Sequence, residues 1–186
     1  MLMVVSLILT SIAIVREKEI GTMEQVMVTP IRRLEFILGK TIPYLITGYI
    51  TMTLMFAAAM LIFGVRIQGS CLLLYVLAGV YLTGNLGIAL SVSAGAATQQ
   101  QALLTAFFIV LPGVLLSGFM FPIRNMPQPV QIITVLNPMR WFLEILHGIA
   151  LKGAGIRTLW PAISALTALA LSFTALAVIR FRKTLG

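Results

Sequence analysis

One histidine, one cysteine and five acidic residues, all of them glutamate, are the groups with which this 186-residue chain could do acid–base, nucleophilic or metal chemistry. A serine-histidine-aspartate triad has no aspartate to draw on, and His147 and Cys71 are too few for a clustered metal motif. A lone cysteine forms no intrachain disulfide and no CxxC site. Chemistry at a membrane would rest on the glutamates, four of which (Glu17, Glu19, Glu24 and Glu35) fall in one polar stretch. Gly39-Lys40-Thr41 echoes a phosphate-binding loop, but that motif requires glycine where Leu34 stands, and a preceding strand. These residues predict no enzyme and no cofactor or metal bound by the chain itself. His147, without a second ligand nearby in sequence, reads as structural.

The elements that must position these groups are apolar blocks. The chain is 60% hydrophobic and 10% charged, with mean hydropathy +1.06. Soluble domains carry about 25% charged residues, and a chain of this length buries only about 70% of its unfolded surface. Soluble and disordered readings are excluded, and lipid is the solvent for much of the chain. Thirteen basic residues against five acidic ones give a net charge of +8. Because the basic residues lie between apolar blocks, they read as topology charges and headgroup contacts rather than as a nucleic-acid footprint.

Five helical spans are predicted, at about 1–15, 42–63, 71–93, 102–121 and 159–179. The first reaches only about 22 Å against a hydrocarbon core of roughly 30 Å. It has no basic start and no cleavage motif, so it reads as a span that begins late or whose beginning lies outside this sequence. Pro43 is expected in the first turn of the second span, and Pro112-Gly113 mark a kink in the fourth. Basic residues number eight on the side of segment 16–40 and the C-terminus and five on the other. The positive-inside rule then puts Met1 outside and Gly186 in the cytoplasm.

The membrane segments are electrically silent. No Asp, Glu, Lys, Arg or His occurs from Ile67 to Ile123, nor in the second or last span. Carriers that harvest an ion gradient use ionisable groups at membrane depth, so energy for transport must enter elsewhere. Segment 16–40 is the expected entry. Thr22 with Gln25 fits a capping box, and Thr29-Pro30 an N-cap followed by a proline at the first helical position. That gives two short interfacial helices, suited to docking a charged partner; a lipid-facing amphipathic connector is the alternative.

Segment 122–158 carries a second pattern. Asn137-Pro138 opens a helix that Gly153 ends. Phe142, Ile145, Leu146 and Ile149 form one apolar stripe, with Arg140 and Glu144 as i, i+4 partners on another face. This is an amphipathic or re-entrant helix, not a span. In the third span, Gly87, Ser91 and Gly95 form a ladder of small residues for close helix contact. Tyr81 and Asn85, one turn apart, either line a pathway or hydrogen-bond between helices.

Two blocks carry a family resemblance. The first is Arg16-Glu-Lys-Glu-Ile-Gly-Thr-Met-Glu-Gln25, with Val28-Thr-Pro-Ile-Arg32 and Leu38-Gly-Lys40. The second is Leu116-Ser-Gly-Phe-Met-Phe-Pro122, Asn125-Met-Pro127, Leu136-Asn-Pro-Met-Arg140 and Gly148 to Gly153. Over nearly its whole length the chain resembles the permease subunit of ABC-2 type exporters, in particular the drug-efflux-like subgroup. The resemblance implies an all-α integral membrane protein in a bacterial inner membrane. It implies an export pathway formed with a second permease copy or paralogue, driven by cytoplasmic ABC ATPase subunits that hold the ATP and magnesium, with lipids and a periplasmic adaptor as further partners. Arg16, Glu17, Glu19, Gly21, Thr22, Glu24 and Gln25 would then couple to the ATPase, and Phe119, Pro122, Pro127, Asn137, Pro138 and Arg140 would shape the outer gate. Full members carry a further N-terminal span and a large external domain, so the chain reads as a C-terminal portion. His147 stands where many relatives carry arginine. Hydrophobic or amphipathic compounds are the expected cargo, with lipid or polysaccharide export, a non-transporting scaffold and a gradient-driven carrier as alternatives.

Overall fold

The computed structural model describes residues 2–20, 33–64 and 68–184. Its elements are α1 (Leu2–Glu19), α2 (Arg33–Phe63), α3 (Cys71–Gly95), α4 (Gln99–Leu115), a 3-10 turn (Ile123–Asn125), α5 (Gln128–Thr134), α6 (Pro138–Lys152) and α7 (Ile156–Thr184). No strand occurs among the described residues, as the expected all-α membrane class requires.

Three helices are long and apolar enough to cross a bilayer, with spanning stretches Thr41–Ile62 in α2, Cys71–Gly95 in α3 and Ile156–Ile179 in α7. The other two predicted spans are shorter helices. α1 is apolar only as far as Val15 before its four charged residues. α4 stops at Leu115 and not at Phe121. The cause is local: Ser117 Oγ donates to the Val114 carbonyl (2.6 Å) and Gly118 follows with φ of +87°, a left-handed conformation that turns the chain out of the helix. α2 differs in the opposite sense. It runs unbroken from Arg33, so Pro43 lies ten residues inside it instead of in its first turn. Proline there withholds its amide from the carbonyl of Gly39, a loss of one ladder bond in an otherwise continuous helix.

α3 is the hub. Half of its apolar window is buried, against 11% for α2 and 22% for α7, whose remaining faces are left for lipid or protein. Helix α7 crosses α3 at two glycines. A Cβ on Gly84 would lie 3.1 Å from Ala170 Cα, and one on Gly87 2.8 Å from backbone atoms of Phe173 and Thr174. Of the predicted small-residue ladder, Gly87 makes the close approach and Ser91 is buried with its hydroxyl on the Gly87 carbonyl (2.9 Å), whereas Gly95 has nothing near it. In the absence of a hydrophobic drive between helices in lipid, such close backbone contact is what holds them together. Helix α1 joins α3 through the Ser11 hydroxyl on the Ala89 carbonyl (3.3 Å). α2 joins it where Gly48 meets Leu82, and where the Tyr49 hydroxyl donates to the Tyr75 carbonyl (3.2 Å). Threonines along the apolar helices turn their hydroxyls onto carbonyls one turn back, as Thr51, Thr83, Thr167 and Thr174 do at 2.7–2.8 Å, which removes their cost in hydrocarbon.

Candidate functional site

Two ends of the bundle and a cleft between them hold the candidate residues. At one end, α1 continues as a helix through Arg16 and Glu17 to Glu19, then meets the start of α4. The Thr98 hydroxyl caps α4 by accepting from the Gln101 amide (3.2 Å), and Gln101 Oε1 accepts from the Ala97 amide (2.9 Å). Thr98-Gln-Gln-Gln101 carries the Ser/Thr-x-x-Glu/Gln signal of a capping box, but the Gln101 side chain takes the amide of Ala97, one residue before the cap, instead of that of Thr98. Into the same helix end comes the Glu19 carboxylate. Its Oε1 accepts from the Gln99 amide at 2.9 Å, and its Oε2 accepts from the Gln99 side-chain amide. The side-chain bond, and then the backbone bond, hold the Glu19 carboxyl below its usual range. Arg16 and Glu19 are exposed and Glu17 is half-buried. Gly21, Thr22, Glu24 and Gln25, with the expected caps at Thr22 and Thr29, lie outside the described residues.

The opposite end is built by residues 116–155. Asn137 caps α6 as expected, its Oδ1 accepting from the Met139 amide (3.1 Å) with Pro138 at the first helical position. Its Nδ2 also donates to the Gly113 carbonyl in the last turn of α4 (2.6 Å), so one side chain fastens α6 to α4. The Gly153 φ of +60° ends α6, and the following Ala154 amide closes on the Gly148 carbonyl at 2.9 Å. Of the predicted stripe, Ile145 and Ile149 are fully enclosed, Phe142 stacks on Tyr81 with ring centroids 4.3 Å apart, and Leu146 is half-buried. Arg140 does not turn to Glu144. Its Nη1 donates to the Gln131 carbonyl (3.3 Å) and the Thr134 hydroxyl, and the guanidinium lies 4.9 Å from the Trp141 ring centre. The reason is packing: the α5–α6 turn brings buried acceptors to Arg140, while Glu144 faces solvent. Pro127 caps α5, Pro122 precedes the 3-10 turn, and Phe119 is 66% exposed. The structure thus gathers Asn137, Pro138 and Arg140 and leaves Phe119 and Pro122 on the surface.

Between the ends runs a partly open cleft of about 480 Å³. Its walls are α3 (Ile88, Ser91) and α7 (Phe173) on one side and α4 (Thr105, Ile109) on the other, with Asn137 of the α5–α6 turn among the lining. No charged residue lines it, and its polar groups are spoken for within the chain: Ser91 on Gly87, Thr105 on the Gln101 carbonyl (2.8 Å), Asn137 on Gly113. The cleft therefore offers an apolar surface. It exists because α1 packs between α4 and the rest of the bundle; this relation is tertiary, and the sequence carries no sign of it. Tyr81 and Asn85 do not line it. Both are enclosed in the core, and neither polar atom of the Asn85 amide has a hydrogen-bond partner. Among the described residues no three His, Cys, Asp or Glu side chains gather to hold a metal, and His147 is exposed.

Comparison with known proteins bears on what such a bundle is. The model of the ABC-2 type transporter family matches residues 1–151. A probable multidrug ABC transporter permease of Escherichia coli K12, YbhR, is 32% identical over 177 residues, covering 95% of this chain and 48% of that protein. A second from the same organism, YbhS, is 38% identical over 154 residues, covering 81% of this chain and 40% of its own length. The inner membrane transport permease YhhJ is 31% identical over 185 residues, 97% of this chain and 49% of that protein. The chain spans about half the length, or less, of these curated relatives. With the family model covering most of its residues and a helical, apolar bundle to match, this chain belongs to the ABC-2 type transporter family, as a multi-pass membrane protein.

Proposed function

We propose that the chain is a membrane-spanning permease portion of an ATP-driven exporter, with a second permease completing the pathway and cytoplasmic ABC ATPase subunits hydrolysing magnesium-ATP. The observation that carries this reading is the charge-free cleft of about 480 Å³ in a bundle with no Asp, Glu, Lys, Arg or His between Ile67 and Ile123. An apolar recess with its own polar groups already bonded favours hydrophobic or amphipathic compounds over ions or sugars. Spans without Asp, Glu, Lys, Arg or His lack the side chains with which carriers use a proton or sodium gradient. The multidrug permeases among its relatives support drug-like cargo.

In this reading the Glu19 end faces the cytoplasm of a bacterial inner membrane and the Asn137 end faces out. Arg16, Glu17, Glu19, Gly21, Thr22, Glu24 and Gln25 form the coupling segment, which nucleotide-dependent contacts with the ATPase displace between two states. Phe119, Pro122, Pro127, Asn137, Pro138 and Arg140 form the outer gate. The test is reconstitution of the permease in vesicles with and without its ATPase. Export of a hydrophobic dye should require ATP and the ATPase, and Glu17→Lys with Glu24→Lys should release the ATPase from the membrane. Dye movement driven by a pH or sodium gradient in vesicles lacking the ATPase would overturn the reading.

A further inference from the structure

Both oxygens of the Glu19 carboxylate are committed within the chain. Glu19 is the last residue of α1, one residue ahead of residues 21–32, and holds the first residue of α4 by two hydrogen bonds. Helix α4 is one wall of the cleft, and at its far end Asn137 fastens it to α6. A continuous path therefore runs from the end of α1 along α4 to the outer segment. We propose that the Glu19–Gln99 tie is the intrachain link that passes displacement of the coupling segment to the cleft wall, with Gln99 as a positioning residue that no family block contains. The inference rests on the exporter reading, and deepens it by naming how motion leaves the coupling segment.

The physical case is one of stiffness. A carboxylate accepting from a backbone amide and a side-chain amide of one residue fixes direction as well as distance, and charge-assisted bonds of this kind are about twice as strong as neutral ones. The carboxylate also complements the partial positive charge at the N-terminus of α4, which favours the tie. Elsewhere α1 touches α4 through apolar contacts, as where Met3 lies against Gly113, and such contacts can slide. The tie is the fixed point on that interface nearest residues 21–32.

Gln99→Pro tests this directly. Gln99 occupies the first helical position of α4, and the preceding Thr98 is extended (φ −127°, ψ 155°), so proline fits the backbone there while deleting both donors. Gln99→Glu is the second variant: it favours the helix electrostatically but sets a carboxylate against Glu19. Glu19→Gln combined with Gln99→Glu restores an amide–carboxylate pair with its polarity exchanged. The readout is dye exported per ATP hydrolysed by vesicles containing the permease and its ATPase, with co-purification of the ATPase measured in parallel. Both single variants should keep the ATPase bound and hydrolysing, yet lower the export ratio about fivefold or more, a magnitude typical of coupling between sites. The double variant should recover most of it. A role confined to helix stability predicts no loss in Gln99→Glu and no rescue. Wild-type ratios in both single variants, or failure of the double variant to rescue, would overturn the proposal. Failure of the unaltered permease to retain an ATPase would instead overturn the exporter reading beneath it.

Discussion

Replacing Gly87 by alanine adds one methyl group where α3 and α7 come closest. The new Cβ would lie 2.8 Å from Phe173 C and Thr174 N and 2.9 Å from the Phe173 oxygen. Those are backbone atoms, so no side-chain rotation can make room, and α7 must move away by several tenths of an ångström. Displacing a helix in a well-packed core costs about 1–3 kcal/mol, against which the better helix propensity of alanine returns up to about 1 kcal/mol. Gly95, on the same sequence ladder, has nothing within 4 Å of its Cβ position, so Gly95→Ala is expected to be near neutral. The assay is the apparent melting midpoint of the detergent-purified chain, read by the fluorescence of a thiol dye reacting with buried cysteine. Because the native Cys71 is exposed, it is replaced by alanine and a reporter cysteine placed at buried Ala78. Gly87→Ala should melt several degrees below its parent and Gly95→Ala within about one degree of it, the difference expected from roughly 1–2 kcal/mol in a chain of this size. Equal midpoints for the two variants would refute the claim that Gly87 is the contact on which α7 is seated.

Asn137→Ala removes both the α6 cap and the bond to Gly113; a loss of about 1–2 kcal/mol in the same melting assay is expected, with Asn137→Asp intermediate because it keeps only the cap acceptor. Asn85→Leu should leave stability unchanged or raise it by about 1 kcal/mol, since it replaces an amide whose two polar atoms are buried without partners by a group that needs none; a clear loss of stability would show that Asn85 is bonded in the folded protein. The Glu19 carboxyl is held below its ordinary value of 4.5 by Gln99. Its contribution is therefore fully present above that ordinary value and fades as the pH falls through the lower, folded-state value. The Gln99 amide resonance should stay constant from pH 7 to pH 5 and move only below the usual carboxylate range. A transition centred above pH 5 would count against the tie.

What could be read from the chain alone was whatever contact between near neighbours decides. The α6 caps at Asn137, Pro138 and Gly153, the buried stripe of Phe142, Ile145 and Ile149, and the silence of the membrane segments all follow from residue type and spacing within a turn or two. The family blocks were legible for the same reason, since each is a run of adjacent residues. Packing between distant segments decided the rest. Arg140 had a partner of opposite charge one turn away and took acceptors from α5 instead, because the α5–α6 turn carries them into the core. Gly84, Gly87 and Gly95 look alike in sequence, and only the crossing point of α7 separates the two that matter from the one that does not. The cleft beside the fourth helix and the Glu19–Gln99 tie across eighty positions belong to this second class. Helical periodicity tells which residues share a face, but which other face that one meets is settled only when every helix has found the arrangement that buries its small residues and satisfies its polar ones.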